Sequence, residues 1–250
     1  MNHNLLSILI PAFLAGMLVL STHVILGREV LKRGIIFIDL AIAQIAALGV
    51  VVASAYLHQA SGWVIQLAAV GHALLAAILL QWTDKHWPQK QEAIIGCLFV
   101  LAASVSLLIL ASQPHGQEHL HDLLAGQILW VNTFDLIPVA LIYAAVIAIW
   151  FSLPLWAQQQ GFYILFAIVI TVAVQLVGVY LVFASLIMPA LVTTRLRIAY
   201  LIGGIGYILG LLLSTVLDLP AGALIVCTLA LVSIGAGFLH RACLSRLCTR

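Results

Sequence analysis

The sequence predicts an all-α polytopic membrane protein with about eight transmembrane helices and a broken or re-entrant sixth segment. Three observations carry this. The 250 residues are 64% hydrophobic and only 7% charged, with a mean hydropathy of +1.21, whereas soluble chains carry roughly 25% charged residues. The apolar residues fall in unbroken runs of about 20, the length that crosses a ~30 Å hydrocarbon core as a helix. The ten Lys and Arg residues lie in four groups between those runs. Helices satisfy their own backbone polar groups in lipid, and the short alternating segments of a transmembrane barrel are not seen.

The first run, Leu5–Leu26, has no Lys or Arg before it and is too long for the apolar core of a secretion signal, so it is expected to be a retained first span. Gly34–Leu57, Trp63–Leu80, Ala93–Ser112 and Leu136–Trp156 supply the next four. Ile198–Leu217 and Ala221–Leu239 supply the last two. Between them, Phe162–Met188 is too long for one crossing, since as a straight helix it would reach roughly 40 Å.

Charge resolves that run. Arg28, Lys32 and Arg33 follow the first span, and Lys85 and Lys90 follow the third. Both groups can be cytoplasmic, as the positive-inside rule asks. A single crossing by 162–188 would put Arg195, Arg197, Arg241, Arg246 and Arg250 outside, five of the ten. A crossing over 162–177 followed by a returning half-helix over 179–188 keeps all ten inside. Gly178 is the expected turn and Pro189 the expected stop. Gln175 and Ser185 flank the turn and are expected to satisfy its free backbone groups. The plainer alternative is one long tilted helix.

This topology leaves Glu118, Asp122, Asp135 and Asp218 outside with no basic residue beside them. Such a surface attracts cations, although outer loops depleted of Lys and Arg show acids by default. One membrane domain over 1–250 is expected, with no soluble domain. The cysteines Cys97, Cys227, Cys243 and Cys248 show no metal or haem spacing. No GxxxxGK[ST] stretch is present, so the chain is not expected to hydrolyse ATP, and no catalytic residues or nucleic-acid partner are expected.

A few residues could carry chemistry. Asp39 is the one acid within a predicted span. An Asp near a helix centre costs about 2.5–3.5 kcal/mol on insertion scales, so it asks for a partner. It either lines a cation path or reaches Arg28 or Lys32. Gln44 lies five residues on, about 140° around the helix, off the face of Asp39. His72 sits mid-span beside Gly71, which permits close helix approach. It is either a path residue or a hydrogen-bond partner for a neighbouring helix. His23, near the inner end of the first span, is a weaker candidate. In HGQEHLHD, His115 and His119 are four apart and would share a helical face with Glu118 nearby, a geometry suited to zinc-type cations. His121 and Asp122 project elsewhere. The stretch is either a weak, open metal-collecting site or a wet polar loop.

Several stretches, in chain order, resemble zinc/manganese/iron ABC importer permeases. They are AGMLVLSTHVILGREVLKRGIIFIDLAIAQIAALGV, EAIIGCLFVLAASVSLLILAS, LLAGQILWVNTFDL, VGVYLVFASLIMPALVTTRL and LDLPAGALIV. The resemblance covers nearly the whole chain. It implies a homodimeric permease in the bacterial cytoplasmic membrane, surrounded by lipid, with a cytoplasmic C-terminus. It also implies a separate cytoplasmic ABC ATPase and an external metal-binding solute-binding protein. The cargo would be a divalent metal, zinc or manganese first and iron next, with no permanently bound cofactor. It assigns the ATPase contact to Pro189, Ala190, Thr193, Thr194 and Arg195.

The chain is a divergent member of that resemblance. The family's second span carries G-D-x-x-x-H, with Asp and His as metal ligands. Counting back from Gly49, Gln44 takes the His position and Asp39 falls one residue off. The outer LFGD segment is LAGQ here, with Gln127 in place of the acid. The loop at WAQQQGF is shorter than usual. A stand-alone secondary carrier or metal exporter using Asp39 and His72 is the alternative, and an accessory protein that binds metal without transport is a third.

Overall fold

The computed structural model describes residues 2–56, 61–110 and 128–248. These form nine helices, and no strand occurs among them. They are α1 (Asn2–Arg33), α2 (Ile38–Tyr56), α3 (Gly62–His86), α4 (Gln91–Leu110), α5 (Leu136–Ser152), α6 (Leu155–Val177), α7 (Val179–Val192), α8 (Leu196–Leu217) and α9 (Ala221–Cys248). Eight are long and apolar enough to cross a membrane; α7 is the short one. Several run past the predicted apolar limits. α1 continues to Arg33 and α3 to His86, carrying their cationic last turns out of the apolar zone.

Local chemistry sets the ends. α1 stops at Gly34, whose φ is +69°. There the Ile35 N–H donates to the Val30 carbonyl and the Gly34 N–H to the Leu31 carbonyl, both at 3.3 Å. This is the paired closure that a left-handed glycine provides after a helix. Pro88 opens a short 3-10 turn, Pro88–Lys90, that leads directly into α4.

Close contacts fix the directions of the helices. The Tyr200 hydroxyl donates to the Ser21 carbonyl at 2.8 Å, Leu20 packs on Gly203 and Tyr207 packs on Gly16. α8 therefore runs antiparallel to α1. Thr228 donates to the Gly206 carbonyl at 2.7 Å and Ile225 packs on Gly210, so α9 runs antiparallel to α8. α6 begins at the Arg33 end of α1, where the guanidinium donates to the Gln159 carbonyl at 3.4 Å and lies 4.3 Å from the centroid of the Phe162 ring. Tyr143 to the Val169 carbonyl and Trp150 against Phe162 run α5 back along α6.

α6 thus leaves the Arg33 end, and α7 comes back to it. Gly27, near that end of α1, sits against the Leu186 carbonyl and Ala190 of α7. The reversal takes one residue, Gly178, at φ +82° and ψ 161°, a region open essentially only to glycine. Two expectations about this turn are corrected. Gln175 is exposed, and the Ser185 hydroxyl bonds the Leu181 carbonyl and the Tyr207 hydroxyl. The turn instead satisfies itself: the Gly178 N–H donates to the Val174 carbonyl and the Val182 N–H to the Gly178 carbonyl. Nor does Pro189 stop the half-helix, which runs on to Val192.

One end of the fold, the basic end, accordingly gathers Arg28, Lys32, Arg33, Lys85, Lys90, Arg195 and Arg197, with Arg241 and Arg246 on the last turns of α9. Exposed aromatics mark both ends. Trp82, Trp87 and Trp156 lie at the basic end, and Tyr56, Trp63, Trp130 and Phe134 at the other, as in the aromatic belts of membrane interfaces. The buried core runs through α1, α2, α6, α7 and α8, where Phe162, Phe166, Ile170, Leu181 and Tyr207 are nearly inaccessible.

Candidate functional site

The returning half-helix makes one wall of a cavity of about 450 Å³. Val179, Tyr180, Phe183 and Met188 line it from α7, Phe99 and Leu107 from α4, and Leu40 and Gln44 from α2. The lining is largely apolar, and the Gln44 amide and Tyr180 hydroxyl stand out within it. At the basic end Phe183 stacks on Phe37, with ring centroids 6.4 Å apart and planes 9° from parallel. Phe37 belongs to the short α1–α2 link and is 48% exposed, so the stack ties that link to the wall of the cavity.

Just beyond that stack lie two carboxylates. Asp39 is in the first turn of α2 and is 1% exposed. No other side chain pairs with its carboxylate; the Asp39 and Leu40 amides at the start of the helix are the donors it meets. Glu92 is in the first turn of α4. Its Oε1 accepts the Phe37 N–H at 3.3 Å, while Oε2 is buried and unpartnered. Asp39 does not reach Arg28 or Lys32. The ion pairs among the described residues both belong to Glu29, with Lys32 at 3.5 Å and Arg33 at 3.2 Å.

Asp39, Gln44 and His72 are not brought together. Gln44 lines the cavity, and Asp39 is buried in the first turn of α2 and does not line it. His72 packs between α2 and α3: its Nδ1 lies 2.8 Å from the Ala68 carbonyl of its own helix, and its ring lies against Gly49. The close approach is therefore at Gly49 and not at Gly71, which has open space beside it. His23 is fully buried, with Nδ1 3.2 Å from the Thr22 hydroxyl and Nε2 unpartnered. Among the described residues no three His, Cys, Asp or Glu side chains converge as metal ligands. His115, Glu118, His119 and His121, with Asp122 and Gln127, lie outside the described residues.

Past α7 the backbone is extended at Thr193 and again at Arg195 before α8 begins. Thr193 is buried and its hydroxyl accepts the Arg195 N–H at 3.1 Å. Thr194 and Arg195 are exposed at the basic end. The wall of the cavity is thus continuous with an exposed, cationic link.

A helical membrane protein whose chain reverses in one residue at Gly178, with a cavity against the returning half-helix and an exposed link at its foot, is built as a transport component. Comparison with known proteins places it more narrowly. The ABC 3 transport family matches residues 6–159 and 150–240, and the chain belongs to this family, which comprises transporter permease subunits and not enzymes. It is 28% identical over 230 residues to the manganese transport system membrane protein MntC of Halalkalibacterium halodurans, covering 81% of this chain and 77% of that one. It is 28% identical over 200 residues to the manganese import system permease protein ScaB of Streptococcus gordonii, covering 69% and 72%. The solved structure of PsaBC from Streptococcus pneumoniae in complex with Fab superposes with a TM-score of 0.71 at 22% identity, over 92% of this chain and 89% of that one. That likeness establishes the fold. Sequence reasoning did not single out Glu92, which anchors the α1–α2 link by accepting the Phe37 N–H; its signal was an acid at the head of an apolar run, directly after a Pro-containing turn.

Proposed function

We propose that this chain is the membrane-spanning permease of an ABC importer for a divalent metal cation, with manganese or zinc as cargo. The observation that carries the reading is the geometry of α7. The same 14-residue half-helix walls the cavity at one end and leads into the exposed Thr194–Arg195 link at the other. The names of the two manganese-transport relatives support the cargo class.

The cytoplasmic membrane of a bacterium is the location this reading requires, with the basic end and the C-terminus inside. A cytoplasmic ATPase subunit docks at the exposed Thr194 and Arg195, which the buried Pro189, Ala190 and Thr193 hold in place from within the fold, and a second copy of the chain completes the path. A loaded binding protein delivers metal at the opposite end, where the 115–122 histidines act as a weak collecting site. Closure of the ATPase pushes on the link, α7 tilts, and the Phe37–Phe183 stack parts or closes. An apolar cavity holding few polar groups suits this, because a cation there is bound weakly enough to leave.

Replacing both Thr194 and Arg195 with Ala tests the coupling. ATP hydrolysis by the assembled complex should continue, while metal uptake into proteoliposomes falls at least tenfold. Uptake at the unaltered rate would refute the assignment of the link.

A further inference from the structure

We propose that the polar cleft at the basic end, between the ends of α1 and α3 and the start of α6, holds the headgroup of an anionic phospholipid. The inference needs a membrane but no particular cargo, and so goes beyond the transport reading. The cleft encloses about 460 Å³. Lys32 and Arg33 reach it from α1 and Lys85 from α3, facing the carboxylates of Glu29 and Asp84. Three cations against two acids leave one positive charge, the complement of a phosphodiester. The cations are not equally engaged. Arg33 is held by Glu29 at 3.2 Å and by the Gln159 carbonyl at 3.4 Å. Lys32 pairs with Glu29 at 3.5 Å but keeps 66% of its side chain exposed. Lys85 is exposed and has no ion pair among the described residues. Two ammonium groups are therefore open to a phosphate, and basic pockets between helices on the cytoplasmic side bind such headgroups.

The walls are preformed. Gln81 Nε2 donates to the Gln160 carbonyl at 2.7 Å and ties α3 to α6. Arg33 ties α1 to the same turn of α6. Away from the cleft, both α3 and α6 become apolar on the face that leads to it. Leu75, Ile78, Trp82 and Lys85 are exposed on α3 at spacings of three and four, so they form one stripe. Trp156, Gln160 and Ile164 form another on α6. Lys85 and Gln160 both line the cleft, so the stripes converge on it. A lipid can lay its acyl chains along Leu75, Ile78 and Ile164 and place its phosphate at Lys85. The Trp82 and Trp156 rings then lie at headgroup level, where such rings gather. A free phosphate or an acidic segment of a partner subunit would use the cations but not the apolar stripes, and their continuity with the cleft favours lipid. The bound lipid would bridge α1, α3 and α6 beside Gly34, where the α1–α2 link begins.

The test uses the purified full-length chain in neutral detergent, with phosphatidylglycerol and phosphatidylcholine of matched acyl chains as probes. Native mass spectrometry counts retained lipid, and thermal unfolding reads the stabilisation. Phosphatidylglycerol should be retained about tenfold or more over phosphatidylcholine and should raise the melting temperature. Phosphatidylcholine, inorganic phosphate and glycerol 3-phosphate should not raise it. Lys85→Gln, which breaks no ion pair, should lower the preference about fivefold. Lys32→Gln combined with Lys85→Gln should erase both the preference and the rise. Lys90→Gln removes an exposed charge at the same end but outside the cleft, and should leave both intact. Equal retention of the two lipids, or Lys85→Gln behaving as the wild type, would overturn the inference. So would Lys90→Gln losing as much as Lys85→Gln, which would reduce the effect to general surface charge. A rise produced equally by inorganic phosphate would make the ligand a free anion and overturn the lipid assignment. A double variant that keeps its lipid preference but no longer co-purifies with the ATPase would give the cleft to that subunit and overturn it too.

Discussion

Replacement of Gly178 by Ala decides between a chain that reverses at this residue and one that crosses once as a single long helix. In a continuous helix, Gly→Ala stabilises by about 1 kcal/mol, because glycine is the poorer helix former. In the observed turn the sign is opposite. Gly178 holds φ +82° and ψ 161°, and a side chain in that region costs about 1–3 kcal/mol. The two accounts therefore differ by about 2–4 kcal/mol in the same variant. Gly34→Ala is the internal comparison: φ is +69° there and nothing lies within 4 Å of an added Cβ, so only backbone strain of about 1–2 kcal/mol acts. Reversible unfolding in mixed micelles, titrated with a denaturing detergent, reads both variants on one scale. Gly178→Ala should destabilise by at least as much as Gly34→Ala. A neutral or stabilising Gly178→Ala would refute the reversal and return the segment to a single tilted helix.

Other consequences follow from the packing. Gly27→Ala would press a methyl onto the Leu186 carbonyl; such overpacking costs about 1–3 kcal/mol, seen in the same detergent titration, whereas Gly96→Ala, with open space beside it, should gain up to about 1 kcal/mol. Tyr207→Phe deletes the 2.8 Å bond between α7 and α8 and should cost about 0.5–1.5 kcal/mol, because Ser185 keeps its bond to the Leu181 carbonyl. His115→Ala combined with His119→Ala should lower uptake at limiting metal and leave it unchanged at saturating metal; equal uptake in both regimes would make the stretch a polar loop only.

The reversal was legible because charge records it. The Lys and Arg residues that follow the long apolar run can share the side of the others only if that run turns back. What single residues do at the turn was not legible. Polar neighbours such as Gln175 were expected to satisfy it, but a one-residue link leaves each flanking helix able to use its own carbonyls. Pro189 read as a stop, yet α7 carries it inside the helix and continues one turn further. The acid at Asp39 was legible from its cost in an apolar run. The bond from the Phe37 N–H to Glu92 was not, because Glu92 stands 55 positions on, and only the packing of α4 beside α2 brings the two together. Gln44 lines the cavity and Asp39, five residues earlier on the same helix, does not.

The most direct test of the account is ATP-driven uptake of Mn²⁺ into proteoliposomes carrying this chain with its co-expressed ATPase, fed by the loaded binding protein. The account predicts accumulation that requires all three components and stops when ATP is withheld. Accumulation by the chain alone would make it a stand-alone carrier and contradict the account, and so would a complete complex that hydrolyses ATP but moves no divalent metal.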